Sequence, residues 1–169
     1  MECPVLKTAV RVCLAVAAST ILLAPAASAA PSSGGTTFVL YIENRGIARI
    51  DNNAQGPDNG DLVHRELAIS RTLKGPVIGV TYSQSEIIAY NPESKIDVRA
   101  VDIEDSLPGG WIFYRGVTQL PIGTLPQPGW TSTYAVIGGT GKFAGARGVK
   151  RLTLLADGIT FKAVITLVK

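Results

Sequence analysis

Along residues 37 to 168 apolar and polar positions alternate over short runs, and turn-forming clusters break the alternation every ten or so residues. The runs Thr37 to Ile50, Leu62 to Ser70, Val77 to Ala89, Ile96 to Ile103, Trp111 to Leu120, Thr131 to Ile137, Val149 to Leu155 and Ile159 to Val168 are rich in β-branched and aromatic residues. Such side chains fit a pleated, half-buried surface, so each run is expected to be a strand. Between them lie Asn52-Asn53, Gly56-Pro57-Asp58-Asn59-Gly60, Lys74-Gly75-Pro76, Asn91-Pro92, Pro108-Gly109-Gly110, Pro126 to Gly129, Gly138 to Gly141 and Asp157-Gly158, the last a two-residue hairpin signal. No window of a dozen residues keeps a 3.6-residue period, and there is no internal repeat. About eight strands in about 140 residues make an all-β sandwich or barrel, and the pattern by itself does not choose between them.

The N-terminal segment breaks this pattern. Lys7 and Arg11 precede an apolar run from Val12 to Ala24, followed by Pro25 and the small residues Ala27-Ser28-Ala29. That layout is expected of a secretory signal peptide over residues 1–29, leaving one domain, 30–169, in an extracellular or periplasmic compartment. The run is about 13 residues, short of the roughly 20 needed to cross a bilayer, so no membrane anchor is expected after cleavage. Both cysteines, Cys3 and Cys13, lie in this segment. The remaining domain therefore has to hold together by packing alone, without disulfides.

Charge narrows the choice of partners. The totals of 16 Lys and Arg against 13 Asp and Glu become 14 against 12 once Lys7, Arg11 and Glu2 are set aside. Lys142, Arg147, Lys150 and Arg151 cluster, but glycines and strand residues interleave them and no aromatic platform accompanies them. Nucleic acid is not an expected partner. With His64 the only histidine and no cysteine beyond residue 29, no metal site is expected. The loop from Asp51 to Gly56 spaces oxygen donors as a calcium loop does, yet Leu62 stands where the bidentate glutamate is required. No Gly-x-Ser-x-Gly elbow supports a hydrolase triad around His64.

The segment Tyr134 to Gly148, YAVIGGTGKFAGARG, is the most specific in the chain. A phosphate loop is excluded because Val136 stands five before Gly141 and Phe143 follows Lys142. A dinucleotide fingerprint would require glycine at Ala144 and a helix beyond it. Two strands joined by a glycine-bearing turn and bulge remain. The run VIGGTGKF…ARGV resembles the signature shared by plant dirigent proteins and allene oxide cyclases. Gly60-Asp61-Leu62-Val63 is similar to a turn both families carry, and Tyr41-Ile42-Glu43-Asn44 is similar to the Tyr-Glu-Ile-Asn of the cyclases.

The resemblance implies an eight-stranded antiparallel β-barrel of the allene oxide cyclase/dirigent type, a scaffold just wide enough to hold one small ligand. It also implies a cofactor-free activity, cyclisation, isomerisation or stereoselective coupling of a small hydrophobic or phenolic molecule, and a homo-oligomer, a trimer in the plant proteins. On the same basis Glu43, Asn44 and Arg147 are catalytic candidates. Because side chains alternate, Glu43 and Asn44 face opposite sides of their strand, in contrast to the cyclase pair two residues apart. His64 joins them as an imidazole able to exchange a proton near neutral pH, or is an exposed loop histidine. Arg147 orients a carboxylate or phenolate, or pairs with an acid such as Asp157. Asp61, Tyr82, Tyr114 and Tyr134 are the ligand-binding candidates, Asp61 also suiting a turn cap and the tyrosines plain wall. Leu120 to Gly129 is a lid over one barrel end or a long loop. A lipocalin-like carrier or sensor of apolar ligands and an envelope-associated structural domain are the competing readings. Polar groups facing a cavity would distinguish a catalyst from both.

Overall fold

The structure, a computed structural model, describes residues 35–52, 56–122 and 124–168. The expected signal peptide, part of the Asp51 to Gly56 loop, and Gly123 lie outside the described residues. Eight strands follow one another: β1 Thr36–Ile50, β2 Leu62–Ser70, β3 Val77–Asn91, β4 Ile96–Leu107, β5 Gly110–Pro121, β6 Thr131–Gly139, β7 Arg147–Leu154 and β8 Thr160–Val168. Each pairs antiparallel with its neighbours in sequence, and β1 pairs with β8 from Thr36↔Leu167 to Glu43↔Thr160, closing a barrel. Closure resolves the choice between sandwich and barrel, and it leaves no unpaired edge strand.

The lumen is set by parity. Leu40, Ile42, Leu67, Ile69, Val101, Ile103, Ile112, Tyr114, Val136, Leu152, Ala163 and Ile165 all point inward and form one core. On β2 the inward set is Val63, Arg65, Leu67 and Ile69, and on β4 it is Asp97, Arg99, Val101, Ile103 and Asp105. A bulge between Asn44 and Gly46 shifts the register of β1 against β2. It falls after Asn44, so it does not bring Glu43 to the inner face.

The glycine turn is a single 3₁₀ turn, Gly141–Phe143, tied to the β4–β5 connection. Thr140 donates from its backbone N–H to Trp111 O at 2.9 Å, and Lys142 N–H donates to Gly109 O at 2.8 Å. Gly141 has φ +57°, and a Cβ there would collide with the Gly109 carbonyl. Both conformation and proximity therefore require glycine.

At the other end Asp157 organises the β7–β8 hairpin. Its Oδ1 accepts the N–H groups of Ile159 at 3.1 Å and Thr160 at 2.9 Å. Thr160, through its side chain and then its backbone, holds the Asp157 carboxyl below its ordinary value. A depressed carboxyl contributes stability above its unfolded value, and the contribution disappears as pH falls through the folded one. Asp157→Ala is accordingly expected to be less stable than the parent at pH 7, with the gap closing in strong acid. Urea midpoints at pH 7 and pH 2 measure it, and a gap independent of pH would refute the assignment.

Candidate functional site

Two separate hollows lie along the lumen, one at each end, and they share no lining residue. The larger opens at the end where the glycine turn, the start of β1 and the end of β8 meet, and measures about 740 Å³. Phe38, Leu40, Ile78, Leu107, Phe143 and Leu167 supply its apolar wall, and Arg71, Lys142 and Arg147 stand around it. No Asp or Glu lines it among the described residues. Its volume lies within the range of about 300–1,000 Å³ usual for small-molecule sites.

Arg147 reaches this mouth from the first residue of β7. Its guanidinium donates to Ile137 O at 3.0 Å and to Ala146 O at 2.8 Å, which fixes the side chain against the β6–β7 connection. Asp157 sits in the opposite end of the barrel, so the alternative ion pair does not form. Lys142 is exposed and stands at the rim with its Nζ 4.9 Å from the Phe143 ring centroid.

The smaller hollow, about 60 Å³, lies inside the barrel toward the far end. Pro126 and Trp130 cover it, so the connection after β5 acts as a lid. Trp130 packs edge-on against Phe161 with centroids 6.3 Å apart, and backbone bonds from Gly129 N–H to Leu154 O and from Leu154 N–H to Trp130 O tie the lid to β7. Around the hollow stand Arg65, Thr81, Ser83, Ser85, Arg99, Thr118, Tyr134 and Lys150. Titratable groups therefore concentrate in the small hollow, whereas the volume is at the mouth.

Two buried ion pairs organise that polar interior. Lys150 Nζ lies 2.7 and 2.8 Å from the two oxygens of Asp105, with both side chains fully buried. Thr81 Oγ1 donates to Asp105 Oδ1 at 2.7 Å, and the Lys150 ammonium sits 4.3 Å from the Tyr114 ring centroid. Burial lowers the Lys150 ammonium, with the charge of Asp105 opposing it. Arg99 forms a fork with Asp97, Nε to Oδ1 at 2.9 Å and Nη2 to Oδ2 at 2.6 Å. Such charge-assisted, bidentate geometry is what allows charges to sit out of water.

The tyrosines divide between the two faces. Tyr114 and Tyr134 are buried and inward, and burial, followed for Tyr114 by the charge of Asp105, raises both phenols. The Tyr114 hydroxyl lies near Asp105 without a hydrogen bond of good geometry, and Asn44 Oδ1 is likewise buried without a partner. Tyr82 is 44% exposed on the outer wall, stacked on Trp111 with centroids 6.1 Å apart.

Of the residues singled out in the sequence, Asn44, Tyr114 and Tyr134 are inside the barrel, and Arg147 is at the mouth. Glu43, His64 and Tyr82 occupy the alternate, outward positions of their strands, away from both hollows. His64 and Tyr82 instead line a shallow external groove with Glu66, Gln84 and Glu104. Asp61 is a turn cap: its two oxygens accept Asn52 N–H at 3.2 Å and Asp58 N–H at 3.0 Å. The strands thus do not bring Glu43, Asn44, His64 and Arg147 into one site. The residues that do converge, Arg65, Arg99, Tyr134 and Lys150, include three that sequence reading passed over. Their signal was parity, because Arg65 and Lys150 are in phase with the apolar residues of β2 and β7.

No family model matches the sequence, and no curated protein matches it. Solved structures do. A pyocyanin demethylase aligns with a TM-score of 0.64 at 23% identity, over 79% of this chain and 100% of that one. The Diels-Alderase AbmU from Streptomyces koyangensis aligns at 0.63 and 14% identity, over 80% of this chain and 64% of its own. A pterocarpan synthase dirigent protein aligns at 0.56 and 13% identity, over 79% and 86%. With the closed eight-strand meander in place, these likenesses establish the fold: this chain is similar in its antiparallel barrel to all three solved structures.

Proposed function

We propose that this protein is an exported, cofactor-free barrel that takes a small hydrophobic molecule into its mouth and steers that molecule's cyclisation, isomerisation or stereoselective coupling. The observation that carries this reading is the mouth itself, a hollow of about 740 Å³ with an apolar wall, rimmed by Arg71, Lys142 and Arg147 with no Asp or Glu among its described lining residues. A hollow so built favours an apolar body with a carboxylate, phenolate or developing negative charge directed at the rim. Reaction follows from confinement: holding a flexible reactant near its attack geometry removes several kcal/mol of barrier without a proton-transfer group. The solved relatives, among them a Diels-Alderase and a dirigent protein, support the same kind of chemistry for this scaffold.

A carrier is the second reading, favoured by one specific observation: no Asp, Glu or His is among the described residues that line the mouth. Binding and turnover separate the two. Unsaturated fatty-acid epoxides, polyenes and phenols are offered to the purified protein, with affinity measured by calorimetry and product stereochemistry by chiral chromatography. Sub-millimolar binding with a biased product supports catalysis, and binding with an unbiased product supports carriage. If nothing binds below millimolar and Arg147→Ala alters only stability, both fail. For a carboxylated polyene that binds, the Arg71→Ala/Lys142→Ala double variant is expected to weaken affinity about tenfold, an effect of about 1.4 kcal/mol, and to leave the matching alcohol unchanged.

Self-association belongs to the same proposal. Val39, Ile47, Val117, Ile137 and Val149 are large apolar residues exposed on the barrel. Light scattering of the purified domain reads the assembly directly.

A further inference from the structure

The charges around the small hollow do not balance. Asp97 is taken by Arg99 and Asp105 by Lys150, each through a bidentate or paired contact. Arg65 has no carboxylate partner among the described residues. Burial, then the like charge of Arg99, lowers its guanidinium, with Tyr134 acting the other way and Arg49 adding to the lowering. Arg65 is half-buried, and charges drawn out of water are ordinarily paired or hydrogen-bonded, so such a guanidinium facing a hollow marks a place for an anion.

The rest of the lining agrees. Ser83, Ser85 and Thr118 place hydroxyls on the hollow, and hydroxyls donate readily to an oxyanion. Small residues on β3 are what create the space, since Thr81, Ser83 and Ser85 occupy inward positions that a larger side chain would fill. A volume of about 60 Å³ has room for a few water-sized groups, hence for a carboxylate and not for a ring system. Pro126 and Trp130 add apolar wall to the hollow, which lowers the local dielectric and strengthens the attraction of charge for charge.

We propose that the hollow beneath Trp130 is a second ligand site, an anion seat in which a carboxylate or oxyanion of similar size binds between Arg65 and Arg99. It is independent of the mouth, with which it shares no lining residue. The anion arrives free in solution or as the acidic end of an organic molecule, and in either form the recognising chemistry is the same.

The indole of Trp130 supplies the readout. In a Trp111→Phe background the full secreted domain is titrated with sodium formate, acetate, benzoate and hydrocinnamate at constant ionic strength over chloride. Saturable fluorescence changes and a rise in Tm with ligand concentration are expected. Arg65→Met should weaken the Trp130 fluorescence response at least tenfold, whereas Arg151→Ala, on the exposed face of β7, should leave it intact. Formate and acetate as the better ligands would identify a free anion, and benzoate or hydrocinnamate an organic acid that moves the lid.

Stability gives a check that does not depend on the ligand. Removing a half-buried cation that has no carboxylate partner among the described residues should leave the anion-free Tm of Arg65→Met equal to or above that of the parent. Arg65→Gln serves the same purpose should the Met variant fail to express. The proposal is overturned if the parent shows no saturable response to 100 mM of any of the four acids, with 100 mM here an order-of-magnitude ceiling for weak sites. It is also overturned if the Arg65 variants respond as the parent does, or if they are destabilised and still respond. Mouth binding of the polyene by Arg65→Met remains as in the parent, so failure here and failure of the mouth reading are separable.

Discussion

Lys150→Met is expected to cost about 3–5 kcal/mol, because it leaves the Asp105 carboxylate fully buried without its cation. The Thr81 hydroxyl would remain as a donor, and one neutral hydrogen bond does not replace an ammonium bound to both oxygens. The effect should be strongly non-additive. Lys150→Met/Asp105→Leu removes both charges and is expected to recover most of the loss, since two apolar side chains of similar size suit a low-dielectric interior. Urea denaturation of the two single variants and the double measures the coupling. A loss below about 1 kcal/mol for Lys150→Met would mean that water reaches the pair, because exposed pairs have that magnitude.

Gly148→Ala is expected to cost about 3–5 kcal/mol by a different route. Gly148 has φ +139°, and a Cβ there would overlap the Thr166 carbonyl oxygen and lie 3.0 Å from Leu167 Cα. Backbone strain and overpacking each cost about 1–3 kcal/mol, and here both apply. Gly145 provides the comparison. Its φ is +74° with nothing within 4 Å of the added atom, so Gly145→Ala meets strain alone, about 1–2 kcal/mol. Equal losses at the two positions in denaturant melts would show that the backbone angle and not the close approach of β8 accounts for the glycine.

Strands were legible because alternation and turn residues act locally. Leu62–Ser70 coincides with its expected run, and the others differ by a few residues at their ends. Inner and outer faces were harder. On β2 the odd positions carry Val63, Leu67 and Ile69, which places Arg65 inside and His64 outside by parity alone. On β3 the inward positions are Thr81, Ser83 and Ser85 while Val80 and Tyr82 face out, so polarity points to the wrong face. Those small residues make sense only once Arg65, Arg99 and Tyr134 are known to lean over them, a tertiary fact. Glu43 shows the opposite difficulty, a residue chosen by likeness to a motif whose neighbour order had changed. The change of order turns the carboxylate to the outer wall, and the lumen takes its charges from β2, β4 and β7 instead.

The strand order has a consequence of its own. Every pairing joins sequence neighbours except the seam between β1 and β8, where Thr36 faces Leu167. In connectivity the barrel is thus a ring, and the seam differs from the seven hairpins only in lacking a turn. Splicing a short linker from β8 to β1 and opening the chain at the exposed Leu73–Gly75 turn would return all eight strands to the same partners. Permuted in that way, the molecule would make the β1–β8 pairing a local hairpin and move its one long-range closure to the β2–β3 pair.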